Sequence, residues 1–176
     1  MVLETRTKEK IKEVLLNPDS DGPEAAYYIL RGRPNITIWE AGKYGEEYVK
    51  TYGHYHLHNE KENYTFLFGE GVGVLQHRDQ SGEVGEVRLV KVKSGNKVEI
   101  PAGWGHAFVN TGKTYLISSD DAPEDASHSQ NDYRPIQEKR GMAYYIIEKD
   151  GKLEAVPNPN YKNLPEPEWV EAEKFF

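Results

Sequence analysis

The stretch GHYHLHNEKENYTFLFGEG, Gly53 to Gly71, changes character halfway along. It opens with three histidines and then becomes the alternating, aromatic-rich run ENYTFLFG, closed by glycines. Alternation with Tyr, Thr and Phe is the pattern of a half-buried strand, and the glycines mark its turn. In an extended chain His54 and His56 project from the same face, and His58 is assigned to the turn that follows rather than to the metal. A turn from His58 to Lys61 would bring the Glu62 carboxylate back towards the two rings. Two imidazoles and a carboxylate on strands suit a divalent cation.

Working outward, a second segment completes the set. In IPAGWGHAFVN, Pro101 and Gly103 mark a turn, Gly105 permits close backbone approach, and His106 opens an apolar strand. Three histidines and one glutamate would leave up to two octahedral positions open to substrate oxygens. The donor types fit Fe2+, Mn2+, Ni2+, Zn2+ or Co2+ without choosing among them. His77 and His128 read as turn or surface histidines.

The rest of the chain repeats the strand pattern. AAYYIL, NITIWEA, GEEYVKTYGHYH, GVGVLQH, EVRLVKV, NKVEIPA and TYLISS are short extended runs separated by Gly-containing turns. GMAYYIIEKDGKLEAVPN reads as a hairpin around Asp150-Gly151. Many short strands and tight turns predict an antiparallel sandwich or barrel. TKEKIKEVLLNP, with apolar residues at helical spacing before Pro18, predicts a short amphipathic helix. DDAPEDASHSQNDYRP is acidic and turn-rich, and the Pro-rich tail NPNYKNLPEPEWVEAEKFF is expected to pack loosely or at an interface through Trp169, Phe175 and Phe176. A single domain over 1-176 is expected: helix and turn in 1-22, barrel in 23-156, tail in 157-176.

Composition excludes several classes. With 22 basic against 29 acidic residues the formal charge is -7, and no basic cluster offsets it, so a nucleic-acid partner is not expected. There is no cysteine, which removes disulfides, thiolate metal sites and a cysteine nucleophile. No apolar run reaches the length of a membrane span, so no membrane partner is expected, and a cytoplasmic location is the default.

Taken together, the two His-containing segments resemble the paired motifs of the cupin superfamily, small double-stranded β-helix (jelly-roll) barrels that hold one metal by three histidines and a glutamate. The succession NITIWEAGKYGEEYVKTYGHYH, ENYTFLFGEGVGVLQ, PAGWGHAFVN and NDYRPIQEKRGMAYYIIEKDGKLEAVPNPNY is similar, over roughly residues 23 to 161, to the cupin-type phosphoglucose isomerases of archaea. The resemblance implies an all-β barrel with a short N-terminal helix and minor C-terminal elements, acting as a homodimeric aldose-ketose isomerase on glucose 6-phosphate and fructose 6-phosphate. It implies His54, His56, Glu62 and His106 as ligands of one divalent metal ion, and Glu62 and Tyr133 as catalytic residues. Thr37, Thr51 and Gly53 match the phosphate-holding positions, Tyr27 joins them by a looser alignment, and Tyr64 matches an aromatic residue of the site. The chain departs before the Asp132-Tyr133 pair: the family carries a histidine and an upstream tyrosine there, and this chain has Asn131 and the polar stretch SSDDAPEDASHSQ. An Fe2+-dependent cupin oxidoreductase and a non-enzymatic sugar-binding cupin are the alternatives, because the same donor set serves both.

Overall fold

Glu62, Tyr64 and Phe66 are buried while Asn63 between them and Leu67 after them are exposed, so the period-two pattern of ENYTFLF is realised as a strand with one face to the core. In the computed structural model, which describes residues 2-55, 61-122 and 130-172, the runs read from sequence become antiparallel strands of two facing sheets. The first sheet contains β1 (Val2–Thr7), β2 (Ala25–Arg31), β3 (Asn35–Trp39), β7 (Glu62–Phe68), β10 (Lys97–Ile100) and β12 (Leu116–Asp120), in the order β1-β2-β3-β12-β7-β10. The second contains β6 (His54–Tyr55), β8 (Glu70–Arg78), β9 (Val84–Lys93), β11 (Trp104–Asn110) and β15 (Glu168–Glu171), in the order β15-β9-β8-β11-β6. Sequence neighbours β7 and β8 lie in opposite sheets, as do β11 and β12, which is the winding of a jelly-roll barrel.

A smaller sheet packs beside the barrel, formed by β4 (Lys43–Tyr44), β5 (Glu47–Tyr48), β13 (Tyr144–Lys149) and β14 (Lys152–Pro157). Its β13-β14 hairpin turns at Asp150 and Gly151, both at positive φ (52° and 72°), the backbone that an Asp-Gly pair favours. Between the two main sheets the core is aromatic. Phe108 on β11 meets Phe66 edge-on at 5.0 Å and Trp39 at 6.4 Å, and the Trp39 indole N–H donates to the Phe108 carbonyl.

Four expectations are altered. The amphipathic segment after Thr7 is only one α-helical turn, α1 (Lys8–Ile11), continuing as a 3-10 turn at Lys12–Val14, and Thr7 makes no side-chain cap. Ahead of it, residues read as part of the helical N-terminus form β1, whose polar sequence VLETRT carries little apolar alternation because it is an edge strand. GEEYVKTYGHYH is not one strand but β5, a single bridge from Lys50 to Val109, and β6. The turn-rich stretch ends in a helix, α2 (Gln130–Glu138), with Pro135 inside it at the cost of one intrahelical hydrogen bond. In the tail, β15 pairs in parallel with β9, leaving Trp169 40% exposed, while Phe175 and Phe176 lie outside the described residues. Among the described residues no helix is long and apolar enough to cross a membrane.

Candidate metal centre

His106 sits opposite His54 in the β11-β6 pair, so the two rings rise side by side from one face of the second sheet, their centroids 4.5 Å apart. Three local features put them there. Gly53 takes φ 87°, a left-handed backbone that turns the chain into β6. Gly103, at φ 79°, lets the Trp104 N–H bond back to the Pro101 carbonyl and start β11. A Cβ on Gly105 would meet the Tyr55 ring at 2.9 Å, so glycine there permits the close approach of β6 and β11.

Glu62 comes from the other sheet. It opens β7 paired with Ile100 of β10, and its Oε2 stands 3.7 Å from His106 Nε2. Because β6 and β7 are in different sheets, the carboxylate reaches the rings from across the barrel and not from a hairpin partner, as the spacing alone suggested. The ligand atoms of His54, Glu62 and His106 all lie within 4.8 Å of one another. Adjacent donors bound to one ion at about 2.1 Å stand about 3.0–3.4 Å apart, so the three side chains would draw together by up to about 1.5 Å around a cation. Two neutral imidazoles and a carboxylate, nearly buried, are also the donor chemistry such an ion takes. His56 and His58 lie outside the described residues, as does His128; His77 stacks on Trp104 at 5.4 Å, away from the cluster.

The cluster opens into a narrow cavity of about 60 Å³, which also gathers Tyr27, Thr37, Thr51, Gly53, Tyr64 and Tyr133. Tyr64 stands beside His106, its hydroxyl 3.2 Å from Nε2. Burial, reinforced by the Glu62 charge, holds that phenol well above its usual range, so it stays protonated. Thr51 Oγ1 accepts the Phe108 N–H at 3.0 Å, and the Tyr27 hydroxyl, pushed up to about 12 by burial, accepts the Tyr52 N–H at 3.4 Å. Tyr133 arrives on α2, its ring 5.5 Å from His54 and edge-on to Tyr52 at 5.6 Å. Burial raises its phenol too, although Arg6 and Arg31 pull the other way.

Two charged lining residues were not singled out by sequence: Arg31 and Asp120. Burial, then the charge of Glu62, pushes the Asp120 carboxyl up to about 6, against hydrogen bonds donated by Asn35 Nδ2 (2.8 Å) and the Ala122 N–H (3.2 Å). The signal for Arg31 was the alternation of β2, which puts 27, 29 and 31 on one face.

A jelly-roll barrel with a His/Glu donor set between its sheets is a cupin-type candidate metal protein. The family model for glucose-6-phosphate isomerase (GPI) matches residues 11-163, and the chain belongs to that family. It is similar to the glucose-6-phosphate isomerases of Pyrococcus horikoshii (37% identical over 128 residues, 72% of this chain and 63% of the relative) and Pyrococcus abyssi (38%, with the same coverage). The chain thus spans a little under two thirds of the length of these relatives. Among solved structures it is similar to a Klebsiella pneumoniae protein with a double-stranded β-helix domain, at 20% identity and TM-score 0.39, covering 66% of this chain and 90% of that one. It is also similar to the Staphylococcus aureus capsular polysaccharide assembling protein CapF, at 18% identity and TM-score 0.45, covering 73% and 31%.

Proposed function

We propose that the chain is a metal-dependent aldose-ketose isomerase that interconverts glucose 6-phosphate and fructose 6-phosphate. The observation that carries this reading is that one cavity joins the His54-Glu62-His106 donor set to Thr37, Thr51, Gly53 and protonated tyrosines, in a chain of the glucose-6-phosphate isomerase family. His56 completes the ligand set in this proposal. A divalent ion held there would polarise the sugar's O1 and O2 as a Lewis acid.

The reaction moves one hydrogen between C1 and C2 and a second between the two oxygens. In the proposed assignment, Glu62 takes the proton from C2 of the aldose and returns it to C1. Tyr133 and Tyr64, kept protonated by burial, donate hydrogen bonds to the sugar oxygens as the carbonyl changes place. The hydroxyls of Thr37, Thr51 and Tyr27 and the Gly53 N–H hold the phosphate. A homodimer, implied by the family likeness, belongs to the same proposal.

The test is a coupled assay with each sugar phosphate, run on protein stripped of metal and reloaded separately with Fe2+, Mn2+, Ni2+ and Zn2+. Turnover with at least one metal, lost on chelation, is expected. No isomerisation with any of them would overturn the reading, and oxygen uptake by the Fe2+ form in its place would mark an oxidoreductase.

A further inference from the structure

A sugar phosphate brings a charge of nearly two negative units to a protein of formal charge -7 and a cavity that already holds Glu62 and Asp120. Hydroxyls and one amide do not offset that repulsion. Among the described residues of the lining, histidines aside, Arg31 is the one cationic side chain.

Its setting is built by the N-terminal strand. On β2, Tyr27, Ile29 and Arg31 share the face turned to the cavity, and Thr37 of β3 stands opposite Ile29. On the other side of β2, β1 sets Glu4 opposite Ile29 and Arg6 opposite Tyr27. Glu4 accepts from both arginines: Arg31 Nε donates to Oε1 and Arg6 Nη2 to Oε2, each at 3.0 Å. One carboxylate against two guanidinium groups leaves the cluster one unit positive. The bond to Glu4 fixes the Arg31 fork through Nε, and its two terminal amino groups have no hydrogen-bond partner among the described residues. The side chain is only 23% exposed, and its charge is felt at Tyr133, which lines the same cavity. A mostly buried guanidinium, clamped at one edge with its other edge unspent, is shaped for bidentate recognition of an oxyanion.

We propose that Arg31, oriented by Glu4 and backed by Arg6, is the cation that receives the substrate's phosphate, so that β1 completes the binding site. This rests on the isomerase reading, which supplies the phosphate.

The experiment measures binding of inorganic phosphate by titration calorimetry, at fixed ionic strength, to the metal-loaded wild type, Arg31→Ala and Arg31→Lys, alongside kcat and KM for fructose 6-phosphate and metal content. Loss of a charged hydrogen-bond donor predicts a rise of about 10- to 100-fold in the phosphate dissociation constant and in KM for Arg31→Ala. Metal content should stay unchanged and kcat change little. Arg31→Lys keeps the charge but not the fork and should fall between; it also serves if the alanine variant does not fold. Equal phosphate affinity in wild type and the variants, or no phosphate binding by the wild type, would overturn the proposal while leaving any measured isomerisation intact. Phosphate binding that depends on Arg31, in a wild type that turns over neither sugar, would sink the isomerase reading and leave the Arg31 site standing.

Discussion

His54 and His106 stand directly opposite one another on β6 and β11, so two residues 52 positions apart in the chain share one pair position of the sheet. Neither ring can follow a cation that the other does not also reach. Replacing either by alanine should therefore weaken metal binding by more than the roughly 10- to 100-fold that follows loss of an outer-shell partner. Equilibrium dialysis with metal analysis checks this, and full metal retention by both His54→Ala and His106→Ala would refute the ligand assignment.

In the proposed mechanism Glu62 both binds the metal and transfers a proton, and the two roles separate in Glu62→Gln. The amide keeps the shape and one donor oxygen but has no ionisable group. We expect a large fraction of the metal to stay and the isomerisation rate to fall by about 10²- to 10⁴-fold, the usual contribution of a general base. Run in D2O, the wild type should place deuterium on carbon; product free of deuterium would remove the proton-transfer role from Glu62.

Gly53 adopts φ 87°, and a Cβ there would lie 3.0 Å from Met142 Sδ and 3.3 Å from the Ala107 Cβ. Gly53→Ala should cost about 1–3 kcal/mol from backbone strain alone. Because the strain falls on the residue before His54, metal affinity should drop with stability, whereas Gly82→Ala, at φ 85° with open space around it, should lower stability alone. Urea unfolding with and without metal distinguishes the two.

Period-two alternation made most of the barrel legible, because a strand with one buried face writes that face into its sequence: Glu62, Tyr64 and Phe66 are the clearest case. His54, Glu62 and His106 were legible by residue type and spacing, and their meeting across two sheets depended on a winding that no local pattern encodes. Elements held by other forces were hidden. β1 lies at a sheet edge, with Leu3 60% exposed and its polar residues committed to ion pairs, so it shows no apolar periodicity. α2 is short, polar and interrupted by Pro135, and it is anchored by the buried side chains of Asp132 and Ile136. Arg31 was passed over because a lone arginine at a strand end looks like a solvent-facing charge until β1 is seen beside it.

A buried ion pair ties the N-terminal segment to the small sheet. Lys50 Nζ lies 2.6 Å from Glu47 Oε1 and donates to the Val14 carbonyl at 2.6 Å, while Glu47 Oε2 accepts the Leu16 N–H at 2.7 Å. Both side chains are almost fully buried. Lys50→Met leaves the Glu47 carboxylate buried without its cation, and should destabilise by about 3–5 kcal/mol. The paired change Lys50→Met with Glu47→Gln removes both charges and should recover a large part of that loss; chemical denaturation of the three proteins measures the difference.

The Glu4 cluster gives a pH dependence with a definite sign. Burial alone would raise the Glu4 carboxyl, but the Arg31 hydrogen bond and the charges of Arg31 and Arg6 outweigh it and hold the group below its ordinary value of 4.5. A carboxylate with a depressed folded pKa adds stability that is complete above the unfolded value and is lost as pH falls through the folded one. The side chain is about a third exposed, so the contribution is modest and salt reduces it. The stability gap between wild type and Glu4→Gln, from urea midpoints, should thus be constant near neutrality, shrink below pH 4.5 and close in stronger acid. A gap that stayed the same across that range would show that Glu4 is not held ionised by its two arginines, and would remove the clamp on Arg31 with it.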